Sequence, residues 1–234
     1  MSPGTPHYTP RTIALLCELL HPPLRPDPAG IQRIHNRMFE GGAPLYGSFS
    51  VTPLGPVLSN VSTRPGAVSQ VAFLADRFQF REELSSLTTG EFAERVVQVA
   101  SMAAEQQKVT LLTAQQVTLR TLVNPRHYKD SVALLQDGML GMQEEVEVFG
   151  RDPRMWGLRL IFPAVPDEPN AFALRIETYT ADPRSLFLEN QGTFGPHQVQ
   201  LGLDAVAANI EATYGFLVDR ALPFVGRFDV RAET

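Results

Sequence analysis

The sequence predicts an α+β fold: antiparallel sheet or sheets with helices packed on one face, built from two pseudo-repeated β-α-β-β-α units. Three observations lead there. Apolar residues alternate with period two in some segments and recur with helical period in others. Both halves of the chain pass through such segments in the same order. The composition, 44% hydrophobic and 19% charged, supplies a core and excludes a disordered chain.

The first half opens on a polar, proline-rich stretch, "MSPGTPHYTPR", read as a flexible tail over residues 1–11. "TIALLCELLHPP" (12–23) is an apolar run closed by two prolines, a strand or a short helix. A helix follows over 27–42, where Asp27 is a good N-cap and Pro28 suits the first helical position. Its apolar residues Ile31, Ile34 and Met38 keep helical spacing. "YGSFSVTPLGPVL" (46–58) reads as a strand with proline at an edge or end, and 59–68 as a connection. Residues 69–84 read as one long strand whose alternation slips near Ala75–Asp76, the signature of a bulge. The helix over 88–107 is capped by Thr88 or Thr89, with Phe92, Val96, Val99 and Ala103 as its buried stripe.

The second half repeats the pattern. One or two strands lie in 109–125, a helix capped by Asp130 in 129–142, and strands in 155–165, 170–180 and 185–192. The longest helix spans 202–222 with Asp204 near its start. His21–Pro22 and Asn124–Pro125 stand at the same separation as the caps Asp27 and Asp130. The closing helices are set further apart than that, which implies an insertion in the second half. The expected organisation is therefore a tail (1–11), an N-terminal half (12–112) and a C-terminal half (113–234) forming one compact unit.

The strand "VTLRTLVNP" (117–125), the paired strands "GLRLIFPA" and "ALRIETYT", and the closing helix together resemble a sporadically distributed, uncharacterised bacterial family. The likeness covers residues 110–228, and its motifs are short and structural. It implies the same C-terminal α+β region and brings no assigned chemistry.

Several function classes lack their signatures. A net charge of −5 argues against unspecific nucleic-acid binding, which runs on a basic surplus. "RFQF" (77–80) places Phe78 and Phe80 on one face, which is as ordinary for an amphipathic strand as for a base-stacking platform. Trp156, the only tryptophan, reads as core. The five histidines form no close pair and there is no Cys-x-x-Cys, so no metal is expected, although "ELLH" (18–21) has one copy of the Glu-x-x-His spacing. No cofactor is expected either, since neither glycine-containing stretch, 40–47 or 191–196, carries the lysine and spacing of a phosphate loop. Cys17, the single cysteine, lies in an apolar run and reads as a buried, inert thiol. The absence of an intramolecular disulfide, of a signal-peptide pattern and of a membrane-spanning apolar run points to a soluble, cytoplasmic protein.

One feature remains. Three apolar strands each carry an arginine directly after a leucine: Arg120, Arg159 and Arg175. Alternation sends Leu119, Leu158 and Leu174 to one face and the arginines to the other. Glu177 and Tyr179 share a face with Arg175. Neighbouring strands would gather the three guanidiniums into an anion-recognising surface, unless cross-strand carboxylates neutralise them into a solvated face. The expected function is a non-catalytic binding or assembly protein that takes an anionic ligand or an acidic partner segment there, or that self-associates through a sheet edge or helix face. The alternative is an enzyme whose pocket holds a small anionic substrate on these arginines, with Glu177 or His127 as base.

Overall fold

The computed structural model describes residues 8–42, 44–62, 64–142 and 144–230. The chain opens with β1 (Arg11–Leu20) and α1 (Pro28–Glu40). Four strands follow: β2 (Ser48–Thr52), β3 (Gly55–Ser59), β4 (Val68–Phe73) and β5 (Arg77–Glu83). The long helix α2 (Thr89–Gln107) closes this half. The short β6 (Leu111–Leu112) leads into β7 (Ala114–Val123). Then come a single turn α3 (Ser131–Ala133) that widens into a π-helix over Leu134–Leu140, and the strands β8 (Gly157–Phe162), β9 (Ala171–Thr178) and β10 (Leu186–Phe194). The two-residue β11 (His197–Gln198) pairs with β6. The last helical run is α4 (Asp204–Phe216), a π-turn at Leu217–Ala221, and α5 (Leu222–Gly226).

Among the described residues nine strands form one antiparallel sheet in the order β2-β3-β4-β5-β1-β7-β10-β9-β8. The first strand of each half, β1 and β7, pair at the centre, with Leu16 opposite Thr118. Outward from β1 run β5, β4 and β3; outward from β7 run β10, β9 and β8. The connections match on the two sides, and among the described strands of the sheet β2 alone has no counterpart. The unmatched strand thus lies in the first half, while the second half carries a 3-10 helix at Glu145–Phe149 between its π-helix and β8.

Two long strand readings resolve into hairpins. Residues 46–58 become β2 and β3, joined at Thr52–Gly55, where Thr52 Oγ1 donates to the Gly55 carbonyl at 2.8 Å. Gly55 has φ +148°, and a Cβ there would stand 2.2 Å from the Phe73 carbonyl oxygen, so glycine is required. The slip at Ala75–Asp76 is a turn between β4 and β5, not a bulge: Leu74 N donates to the Arg77 carbonyl at 2.9 Å. No glycine, proline or asparagine marks that turn; the Asp76–Arg77 ion pair at 2.9 Å helps close it.

All helices pack on one face of the sheet, through two hydrophobic clusters. The larger joins Phe78 and Phe80 of β5, Val117 and Leu119 of β7, the α2 stripe Phe92, Val96, Val99 and Ala103, and Val206 and Ile210 of α4. The smaller joins Leu174 and Ile176 of β9, Leu186 and Leu188 of β10, Trp156, and Leu217, Leu222 and Val225 of the last helical run. That helical run therefore ties the two cores together, and its π-turn falls where it passes from one to the other. The caps behave as their chemistry requires. Asp27 accepts from Gly30 N, Asp130 accepts from Ala133 N, and Thr88 and Glu91 form a reciprocal capping box.

Residues 1–7 of the expected tail lie outside the described residues. The stretch from Tyr8 is part of the folded body: the Tyr8 side chain is buried and Arg11 begins β1. Tyr8 Oη donates to Asp229 Oδ2 at 2.6 Å. Asp229 is 0% exposed and also accepts from the backbone N–H groups of Arg126 (2.7 Å) and His127 (2.8 Å). This clasp joins residues near both ends of the chain to the loop after β7.

Candidate functional site

The strand register brings the three arginines into one row. Arg159 on β8 lies opposite Arg175 on β9, Arg175 opposite Glu189 on β10, and Glu189 opposite Arg120 on β7. All stand on the face that carries no helix, while Leu119 and Leu174 are buried beneath the helices. Leu158 is only half-buried, because β8 is the edge strand.

Neutralisation is partial. Arg120 Nε donates to Glu189 Oε2 at 2.7 Å. Arg175 lies 3.2 Å from Glu177 Oε1 and 3.7 Å from Glu189 Oε1. The first of these is an ion pair without a hydrogen bond, since the buried Arg175 Nε finds no acceptor at acceptable angles. The Arg175 guanidinium sits over the Phe187 ring at 5.3 Å, and Tyr179 stacks on the same ring at 6.3 Å. Arg159 has no ion pair with the described carboxylates. Among the described residues three guanidiniums thus face two carboxylates, and like charges stand directly opposite at Arg159–Arg175, an unfavourable cross-strand pair.

Glu189 escaped the sequence reading. Its strand was visible, but its role depends on the β10–β7 and β10–β9 registers, which join residues far apart in the chain. His127 does not join the row. Its Nδ1 lies 2.7 Å from the Asp229 carbonyl oxygen, so it belongs to the clasp.

A second constellation lies on the helix side of the opposite arm. Glu82 of β5 continues the inward face of Phe78 and Phe80, and is 1% exposed. Its Oε1 accepts from Ser69 Oγ (2.9 Å) and from Arg95 of α2 (2.7 Å). Its Oε2 is buried and without a partner among the described residues. Burial raises the Glu82 pKa, and Ser69 and Arg95 oppose that rise only in part. Arg95 lies over the Tyr46 ring at 5.4 Å. Burial likewise pushes the Tyr46 hydroxyl above its ordinary range. The alternation Phe78, Phe80, Glu82 was the available signal: a carboxylate on the core face of a strand asks for a buried partner.

Cys17 is fully buried, its thiol pushed up to about 12 by desolvation, which keeps it protonated and unreactive. His21 is buried, with its ring 4.8 Å from Phe78. No group of three metal-ligating side chains occurs among the described residues. No described helix is long and apolar enough to cross a membrane. No protein-family model matches the chain, and no curated protein matches it.

Proposed function

We propose that this chain is a binding protein that takes an extended acidic segment of a protein partner along β8, over Arg159 and Arg175. The observation that supports it is the row of three arginines facing two described carboxylates, with Arg159 at the sheet edge and no described carboxylate paired with it. An added strand gains main-chain hydrogen bonds from β8, whose outer groups have no neighbouring strand. Its alternate side chains then lie beside Arg159 on the open face and beside Leu158 and Leu160 on the helix face. A carboxylate beside Arg159 relieves the repulsion with Arg175 and can be held bidentately.

A peptide of alternating glutamate and valine tests this by fluorescence anisotropy. Binding should weaken as salt rises and be lost in Arg159→Glu, with the circular dichroism unchanged. Equal binding by Arg159→Glu, or none by the native chain at low salt, defeats the reading.

A second copy of the chain is the alternative partner, favoured by one segment. Glu145–Phe149 alternates acidic and apolar residues as a one-turn 3-10 helix with no buried residue. Val148 and Phe149 are 82% and 69% exposed. Concentration-dependent dimerisation abolished by both Arg159→Glu and Glu147→Lys would assign the partner to this chain.

A further inference from the structure

A cavity of about 380 Å³ opens between the β3–β4 connection, the adjoining start of β4 and end of β5, the loop before α2 and Arg95 of α2. It lies on the helix side of the sheet, in the arm opposite the arginine row, and its chemistry is independent of that surface. Its volume is in the range that accepts a small molecule.

The polar wall is built rather than incidental. Glu82 lines it, held at Oε1 by Ser69 and Arg95. Ser69 is fixed in turn by Asn60 Nδ2 at 3.0 Å. Asn60 is anchored to the backbone by Gly47 N (2.9 Å) and the Leu45 carbonyl (2.9 Å). Arg64 stands on the rim and donates to the Leu84 carbonyl. Leu84 holds φ at 49°, a left-handed conformation that residues other than glycine seldom adopt.

Two features define what fits. Among the described residues Glu82 Oε2 has no partner, while every other side-chain polar atom of the Glu82–Ser69–Asn60 chain has one. A buried carboxyl accepts a hydrogen bond when ionised and donates one when protonated, and a hydroxyl group matches either state because it does both. The second feature is charge. Arg95 is matched by Glu82, and Glu83, which also lines the cavity, is engaged by Arg81 at 2.6 Å. Arg64 has no described carboxylate and leaves the mouth positive.

We infer that this cavity is a binding site for a small hydroxylated anion, its hydroxyl on Glu82 and its carboxylate or phosphate on Arg64. Binding requires two adjustments: the covered Glu82 Oε2 must open to the ligand, and the Arg64 side chain must release the Leu84 carbonyl.

Calorimetric titration of the full chain with glycerol 3-phosphate, inorganic phosphate and glycerol tests it. Glycerol 3-phosphate carries both features; phosphate and glycerol carry one each. Glycerol 3-phosphate should bind at least about tenfold more tightly than either. Arg64→Gln should reduce it to the level of glycerol, and Glu82→Gln should remove its advantage over phosphate. Failure of all three probes to bind at millimolar concentration overturns the inference, as does binding that neither substitution weakens. If Glu82→Gln does not fold, Arg64→Gln decides alone, because Arg64 is exposed and outside the core.

Discussion

Asp229 and Glu82 are both closed off from solvent, at 0% and 1% exposure, yet the hydrogen bonds they receive differ. Both oxygens of Asp229 are occupied: Oδ2 by Tyr8 and Arg126 N, Oδ1 by His127 N. Among the described residues Glu82 takes both of its hydrogen bonds on Oε1 and none on Oε2. A buried anion whose acceptor positions are filled from the backbone is a structural joint. One that is filled on a single oxygen, beside a cavity, keeps binding capacity in reserve. Depth of burial alone therefore does not separate architecture from site; the distribution of donors does.

Four perturbations, from the largest expected effect to the smallest, sharpen that contrast. Asp229→Ala strands the Tyr8 hydroxyl and two backbone N–H groups, so urea denaturation should show a loss of about 3–5 kcal/mol. A loss below about 1 kcal/mol would falsify the view of Asp229 as a joint.

Arg95→Met leaves Glu82 without its cation, and about 3 kcal/mol should be lost above the pKa of Glu82 in the folded chain. The sign follows from the raised pKa. The folded chain holds the Glu82 proton more tightly than the unfolded one, so this group's contribution is most favourable at low pH and falls as pH rises through the folded pKa. Arg95 lowers that pKa, and removing it moves the fall to higher pH and deepens it. Melting temperatures of Arg95→Met at acidic and alkaline pH should diverge more than those of the native chain, while Glu82→Gln should flatten the profile. A pH-independent deficit would mean that Arg95 acts through packing alone.

Tyr8→Phe removes one hydrogen bond to a charged group and should cost about 2 kcal/mol, less than Asp229→Ala because the backbone donors remain satisfied. A deficit equal to that of Asp229→Ala would instead place the whole effect in Tyr8. Glu189→Gln alters partly exposed ion pairs on the open face and should shift stability by less than about 1 kcal/mol, diminishing with salt. A larger, salt-insensitive change would show that the arginine row is structural.

Local chemistry was legible. The caps at Asp27, Thr88 and Asp130 and the α2 stripe follow from residue type and spacing within one segment. The repeated Leu-Arg pair also told the truth about faces, since Leu119 and Leu174 are buried and Arg120 and Arg175 lie across from them. What escaped depends on pairing between distant segments. The β4–β5 turn uses Leu-Ala-Asp, in which Asp76 is the single turn-favouring residue, so one strand was read where the chain reverses. The helix read over 129–142 keeps regular α geometry only at Ser131–Ala133 before widening into a π-helix, a change of backbone period that residue spacing does not announce. Glu189 and Glu82 become meaningful only once β10 meets β7 and α2 covers β5. Fold class rests on pattern, whereas the candidate sites rest on register.

The Tyr8–Asp229 contact has a topological consequence. Residues 221 positions apart share a 2.6 Å hydrogen bond, so the segment from Tyr8 to Asp229 nearly closes on itself. A circular permutant joined near that clasp by a flexible linker, with new ends cut into the exposed stretch at 151–154, retains every strand pairing of the sheet. Such a rearranged chain should fold to the same sheet, with its new ends leading directly into β8.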